Sequence, residues 1–165
     1  MLLHDFNATD AETAASIVSV WAAIPRWVDD VVAGRPYPSV DALAARAAAL
    51  ADTWTRDDLD IALSHHPRIG ERATGEGAEA TASAREQSTM RTAPSDVAAA
   101  IAAGNAAYEQ RFGRVFLIRA AGRSPEEMRA ELERRLAGDD DAEAREALGQ
   151  LAEIAILRLR GMIDA

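Results

Sequence analysis

Residues 124–138 read SPEEMRAELERRLAG, and this stretch decides the fold class. Ser124 is a helix cap, and Pro125 takes the first helical position, where its missing N–H is no loss. Glu127 stands third, where a carboxylate reaches back to the capping residue. Gly138 ends the helix. Working outward, the same signals recur. Downstream, Asp140 and Glu143 cap a last helix that runs nearly to the C-terminus, with Leu148, Leu151, Ile154, Ala155, Leu159 and Met162 as its apolar stripe. Upstream, Ser95 and Asp96 start a long helix that closes at Gly113. Val115 to Ile118 is a compact apolar run and the sole strand-like piece, with nothing obvious to pair with.

Further toward the N-terminus a short helix spans Ala80 to Met90. Residues 67–79, with Gly70, Gly75 and Gly77, read as a mobile loop. Thr55 and Asp58 open a helix that Pro67 forces to end by about His66. Ser39 caps another with Val40, Leu43, Ala44, Ala47, Leu50 and Trp54 on one face. Arg35-Pro36-Tyr37-Pro38 is a rigid turn, and before it a helix begins at Pro25 and stops at Gly34. Thr9-Asp10-Ala11-Glu12 reads as a capping box opening the first helix. Alanine, the strongest helix former, accounts for 38 residues. The expected fold is all-α, a single-domain bundle (residues 1–165) of about eight helices with one short extended segment near 115–118.

Two absences narrow the chemistry of this 165-residue chain. It contains no cysteine, and all 18 of its Lys+Arg residues are arginine. Without lysine there is no side-chain Schiff base, no pyridoxal phosphate anchor and no phosphate-loop lysine. Without cysteine there is no thiolate nucleophile, disulfide or thiolate zinc site. A formal charge of −9 and a pI near 4.8 argue against a nucleic-acid surface and disfavour anionic membranes. No run approaches a membrane span, and neither end reads as a signal peptide or peroxisomal tail. A cytoplasmic protein is expected.

Three places break the local rules of a plain bundle. In His65-His66-Pro67-Arg68-Ile69-Gly70, a helix C-terminus holds an imidazole protonated or poised near neutrality, and proline fixes His66 in an extended conformation off the helix end. The alternative is a histidine that caps its own helix. Metal binding is not expected, since neither a HExxH nor a HxH spacing occurs. Ser83, Glu86 and Gln87 share one face of a short helix, either as a polar site or as an internal capping box. Arg158 lies at helical spacing between Ile154 and Met162. It is either a bidentate carboxylate clamp or a snorkelling or structurally paired side chain. Arg111, Arg114, Arg119 and Arg123 are either a positive funnel for a small anion or solvated charges.

Taken in order, several segments resemble the OHCU decarboxylase family of urate degradation. They are Trp27, Arg35-Pro36-Tyr37, Trp54, His66-Pro67, Ser83 with Glu86-Gln87, Tyr108 to Phe112-Gly113, Phe116-Leu117-Ile118, Gly122-Arg123-Ser124 and Leu157-Arg158-Leu159. The resemblance implies an all-helical, cofactor-independent enzyme that decarboxylates 2-oxo-4-hydroxy-4-carboxy-5-ureidoimidazoline to (S)-allantoin. It places the catalytic roles on His66, Glu86 and Arg158. Pro67, Ser83, Gln87 and the backbone of Phe116, Leu117 and Ile118 would contact the substrate, with no metal. Where other members carry an acidic residue and leucine after His-Pro, this chain has Arg68-Ile69-Gly70. The family includes dimers, so a homodimer is implied, with a small-molecule substrate and neither nucleic acid nor membrane as partner. The family also includes fusions to a transthyretin-like hydrolase, and a stand-alone form is expected here. The competing class is a non-catalytic helical ligand-binding or protein-interaction domain, in which His66 caps, Glu86 pairs with an arginine and Arg158 is structural.

Overall fold

A computed structural model describes residues 1–64, 68–70 and 78–165. Among the described residues there are nine α-helices, one 3-10 helix and no strand. The helices are α1 (Leu3–Ala8), α2 (Ala11–Trp21), α3 (Pro25–Ala33), α4 (Val40–Ala51), α5 (Arg56–Leu63), α6 (Ala78–Glu86), α7 (Ser95–Phe112), α8 (Pro125–Leu136) and α9 (Asp140–Met162), with the 3-10 turn over Ser88–Thr92. The all-α expectation holds. The helix beyond the expected eight is α1, whose N-cap Leu2 offers no capping side chain and therefore no sequence signal. Burial of Leu3 and Phe6 holds it instead.

Ser39 and Ser124 cap α4 and α8 as expected, and Ser124 with Glu127 forms the complete reciprocal box. Thr55 and Asp58 bond each other's backbone N–H groups at the start of α5. Three starts differ. For α2 the cap is Asp10, not Thr9: its carboxylate, a stronger acceptor than a hydroxyl, takes the N–H of Thr13 at 2.9 Å. For α7 the cap is Pro94, which puts Ser95 and Asp96 inside the first turn. For α9 the cap is Asp139, whose Oδ1 accepts from the N–H groups of Asp141 and Ala142. Glu143 is buried in the core instead of capping. The expected helix to Met90 ends as α-helix at Glu86 and continues as the separate 3-10 turn.

The chain divides into two compact units, residues 1–62 with 152–165, and residues 63–151. In the first, α2 packs on α3 and α3 on α4. Its core holds Phe6 against Trp21, with ring centroids 5.7 Å apart, and Trp27 edge-on to Trp54 at 5.5 Å. The Trp27 indole donates to the Ala47 carbonyl at 3.0 Å, so burial leaves that N–H satisfied. In the second, α7 packs along α8. The buried cluster there joins Ile69, Ile101, Tyr108, Phe112, Phe116 and Met128. The Val115–Ile118 run lies outside any helix or strand, buried from Phe116 to Ile118.

Candidate functional site

The polar set on α6 is built by helix geometry. Ser83 sits in the interior of the helix and is 3% exposed, while Glu86 is its last residue. A mid-helix serine cannot be an N-cap, so the internal capping-box reading of Ser83 and Glu86 falls away. Gln87 follows directly, and its N–H donates to the Ser83 carbonyl at 3.0 Å. The Gln87 side-chain oxygen accepts from the N–H of Gly70 at 3.0 Å. This joins the end of α6 to the segment that follows His66-Pro67 in sequence. His65, His66 and Pro67 themselves lie outside the described residues, as does most of the expected 67–79 loop.

Residues 68–70 are each held by a different side chain. Arg68 meets Glu109 of α7 in a two-pronged ion pair, one prong measuring 2.8 Å. The hydrogen bond from Arg68 holds the Glu109 carboxyl below the usual carboxylate range, and it outweighs the opposing effect of burial. The Ile69 side chain enters the buried cluster, and its carbonyl accepts from Asn105 Nδ2 at 2.9 Å. Gly70, with φ +87°, takes the left-handed conformation that glycine adopts without strain. Arg68, Ile69, Gly70, Met90, Asn105 and Glu109 are among the residues that line a cavity of about 290 Å³.

The Phe116–Ile118 run is buried yet pairs with no strand. Arg135 of α8 donates from Nη1 to the Leu117 carbonyl at 2.8 Å and lies over the Phe116 ring, 4.6 Å from its centroid. Gln150 Oε1 accepts from the Arg119 N–H at 2.9 Å. Among the described residues, both backbone groups of Phe116, the N–H of Leu117 and both backbone groups of Ile118 have no hydrogen-bond partner. Nine in ten or more buried backbone groups are paired, so five unpaired groups in three buried residues set this run apart from the rest of the core.

Arg158 lies on the part of α9 that belongs to the first unit and is 5% exposed. Its Nη1 donates to the Val20 carbonyl, in the last turn of α2, at 2.9 Å. The α9 stripe therefore buries the arginine, as its spacing predicts. Three of the four arginines near the apolar run are engaged within the protein. Arg114 pairs with Asp140, and Arg111 and Arg119 donate to the carbonyls of Gly138 and Ala121.

Two buried charges were not anticipated as a pair. Arg135 and Glu143 form an ion pair with side chains 1% and 2% exposed. The Tyr108 hydroxyl donates to the same carboxylate. Burial, reinforced by that carboxylate, pushes the Tyr108 pKa above its usual value. The signal was present in the spacing. Met128, Leu132 and Arg135 fall four and then three apart, which puts Arg135 on the buried face of α8. Glu143 stands four before Ala147 and eight before Leu151, both fully buried.

The model of the family described as OHCU decarboxylase matches residues 7–160. The chain belongs to the OHCU decarboxylase family. Membership places it among the carboxy-lyases of urate degradation. It is 30% identical over 133 residues to the 2-oxo-4-hydroxy-4-carboxy-5-ureidoimidazoline decarboxylase of Mus musculus, covering 79% of this chain and 75% of that protein. It is 31% identical over 127 residues to the protein of the same name from Haloferax volcanii, covering 76% and 73%. A crystal structure of OHCU decarboxylase in the presence of (S)-allantoin shares the fold, with a TM-score of 0.75 and 22% identity over 93% of this chain and 98% of that one. No described helix is long and apolar enough to cross a membrane.

Proposed function

We propose that this chain decarboxylates 2-oxo-4-hydroxy-4-carboxy-5-ureidoimidazoline to (S)-allantoin, without a cofactor, through His66, Glu86 and Arg158. The observation that carries the reading is the family match over residues 7–160, which runs through both compact units. The same match supports treating 1–165 as one functional domain. The site residues rest on two further observations. Gln87 is bonded to Gly70, and the backbone of Leu117 and Ile118 offers buried donors and an acceptor without partners.

Cleavage of the bond to the carboxylate releases CO2 and leaves an electron pair on the ring carbon. A lysine imine is not open to this chain as a sink, because it has no lysine. The conjugated imidazoline of the substrate takes up the pair, and a proton then returns to one face of that carbon. Arg158 fixes an anionic or carbonyl group of the substrate. His66 bonds the hydroxyl or carboxylate and moves the proton, and Glu86 orients His66 or holds the ureido nitrogens. Pro67, Ser83, Gln87 and the backbone of Phe116 to Ile118 complete the contacts. The protein's part is to orient and desolvate, with the electron sink supplied by the substrate.

A cytoplasmic homodimer is part of this proposal, its support being family resemblance and the absence of a membrane-spanning helix among the described residues. The test feeds fresh urate, urate oxidase and hydroxyisourate hydrolase to the protein and follows optical activity. Spontaneous decay gives racemic allantoin, so a persistent signal requires enzymic turnover. His66→Ala should lose roughly 10²-fold or more of the rate while keeping its helical content. A wild-type protein that gave only the racemate would overturn the reaction, and an active His66→Ala would overturn the role of His66.

A further inference from the structure

We propose that Arg135 and Gln150 are positioning residues that turn both backbone groups of Ile118 toward the substrate as a donor–acceptor pair. The inference rests on the proposed reaction and on the 116–118 backbone meeting the substrate. A peptide unit is planar and trans, so its C=O and N–H point in opposite directions. The Leu117 carbonyl is drawn to Arg135 Nη1 at 2.8 Å, which aims the Ile118 N–H, in the same peptide plane, the opposite way. The Arg119 N–H is drawn to Gln150 Oε1 at 2.9 Å, which aims the Ile118 carbonyl the opposite way in its turn. One residue is thus oriented at both of its peptide planes, by side chains from two different helices.

These anchors are themselves fixed. Arg135 is held at Nε and Nη2 by Glu143, whose carboxylate also receives the Tyr108 hydroxyl. The guanidinium covers one side of the Phe116 ring, and Tyr108 meets that ring edge-on at 5.2 Å. A run without strand partners has no ladder to set its peptide planes, so the side chains set them. An adjacent N–H and C=O, both buried and without partners among the described residues, match a group that accepts and donates side by side. The ureido arm of the substrate is such a group.

The test uses the full-length protein in the coupled assay, with kcat and KM measured separately. Gln150→Leu removes the acceptor for the Arg119 N–H at a half-buried position. Its KM should rise about tenfold with the rate at saturation largely kept, the loss of one neutral hydrogen bond to substrate. Gln150→Glu keeps an acceptor at that place and should restore KM. Arg135→Met combined with Glu143→Leu removes both buried charges together, so the fold is retained while the Leu117 carbonyl is released. That variant should also show a raised KM. A purely structural role would instead lower the active fraction, reducing the rate at unchanged KM. If the double variant does not fold, Arg135→Lys, which retains a cation for Glu143 but lacks the fork, carries the same measurement. Gln150→Leu or the folded Arg135 variant with wild-type KM would overturn the proposal. Wild-type protein without turnover would instead overturn the reaction on which it rests.

Discussion

Arg135 and Glu143 meet in the interior of the second unit with almost no solvent contact, the guanidinium bridging the carboxylate and the Leu117 carbonyl. Such a pair is strongly asymmetric in energy. Both charges together offset the cost of their desolvation, whereas one charge alone has no partner of comparable strength. Glu143→Ala should therefore cost about 3–5 kcal/mol of unfolding free energy. Replacing both residues by apolar side chains should cost far less. Urea denaturation of the single and double variants checks this, and equal losses in both would show that the pair contributes little beyond its packing.

Much of the fold was legible because its determinants are local. Ser124, Pro125 and Glu127 act within one turn, and the structure realises the cap they predict. Glu143 was misread for the same reason. It stands next to three aspartates at a helix start, where an acidic side chain suits the helix dipole, yet its partner Arg135 lies eight residues back on another helix. Only the tertiary fold brings them together. Asn105 was likewise missed, although its place between Ile101 and Tyr108 on the buried stripe of α7 makes it a polar residue in an apolar row. Ser83, by contrast, was legible as a helical residue sharing a face with Glu86, but the sequence left open whether it was a site residue or a cap, because a serine three before a glutamate also spells a cap.

The Arg68–Glu109 pair gives stability a dependence on acid. Arg68 holds the Glu109 carboxyl below its ordinary value of 4.5, so the folded chain binds its proton less tightly than the unfolded chain. The stabilisation is fully present above that ordinary value and is lost as pH falls through the depressed one. Glu109→Gln removes this contribution. Thermal unfolding followed from about pH 6 down to about pH 3 should show a flatter acid limb for the variant. Parallel curves for the two proteins would assign the acid sensitivity to other carboxyls.

Arg158 combines a structural contact with a proposed chemical one. Its bond to the Val20 carbonyl satisfies an acceptor near the C-terminal end of α2, where helical carbonyls run out of intrahelical partners. A glutamine can still donate to that carbonyl, but it carries no charge for a carboxylate. Arg158→Gln should therefore keep its helical circular dichroism while kcat/KM falls by roughly 10²-fold or more. Retained activity would leave Arg158 as a tether of α9 to α2 and nothing more.

At Ser124 the capping box places two hydrogen bonds on orphan N–H groups, one from each partner, with Glu127 accepting at 2.8 Å. Ser124→Ala should cost about 1 kcal/mol, with activity at 25 °C unchanged. Ser124→Asp retains the acceptor and should lose only a fraction of that. Chemical denaturation separates the two, and an alanine variant as stable as wild type would show that tertiary packing alone sets the start of α8.

Gly104 faces α8 from the middle of α7, and a Cβ built there would stand 2.6 Å from Leu132 Cδ2 and 3.1 Å from its Cγ. Two effects then oppose each other. Alanine improves helix propensity by about 1 kcal/mol, while overpacking a core typically costs about 1–3 kcal/mol. Leu132 is 1% exposed and belongs to the buried cluster, so it has little room to yield and the overpacking term should win. Gly104→Ala is expected to lower stability by about 1 kcal/mol net. Pairing it with Leu132→Val shortens the opposing side chain and should recover part of the loss, even though Leu132→Val alone destabilises. A double-mutant cycle reads that coupling directly, and simple additivity of the two changes would mean that the helices separate to admit the methyl group.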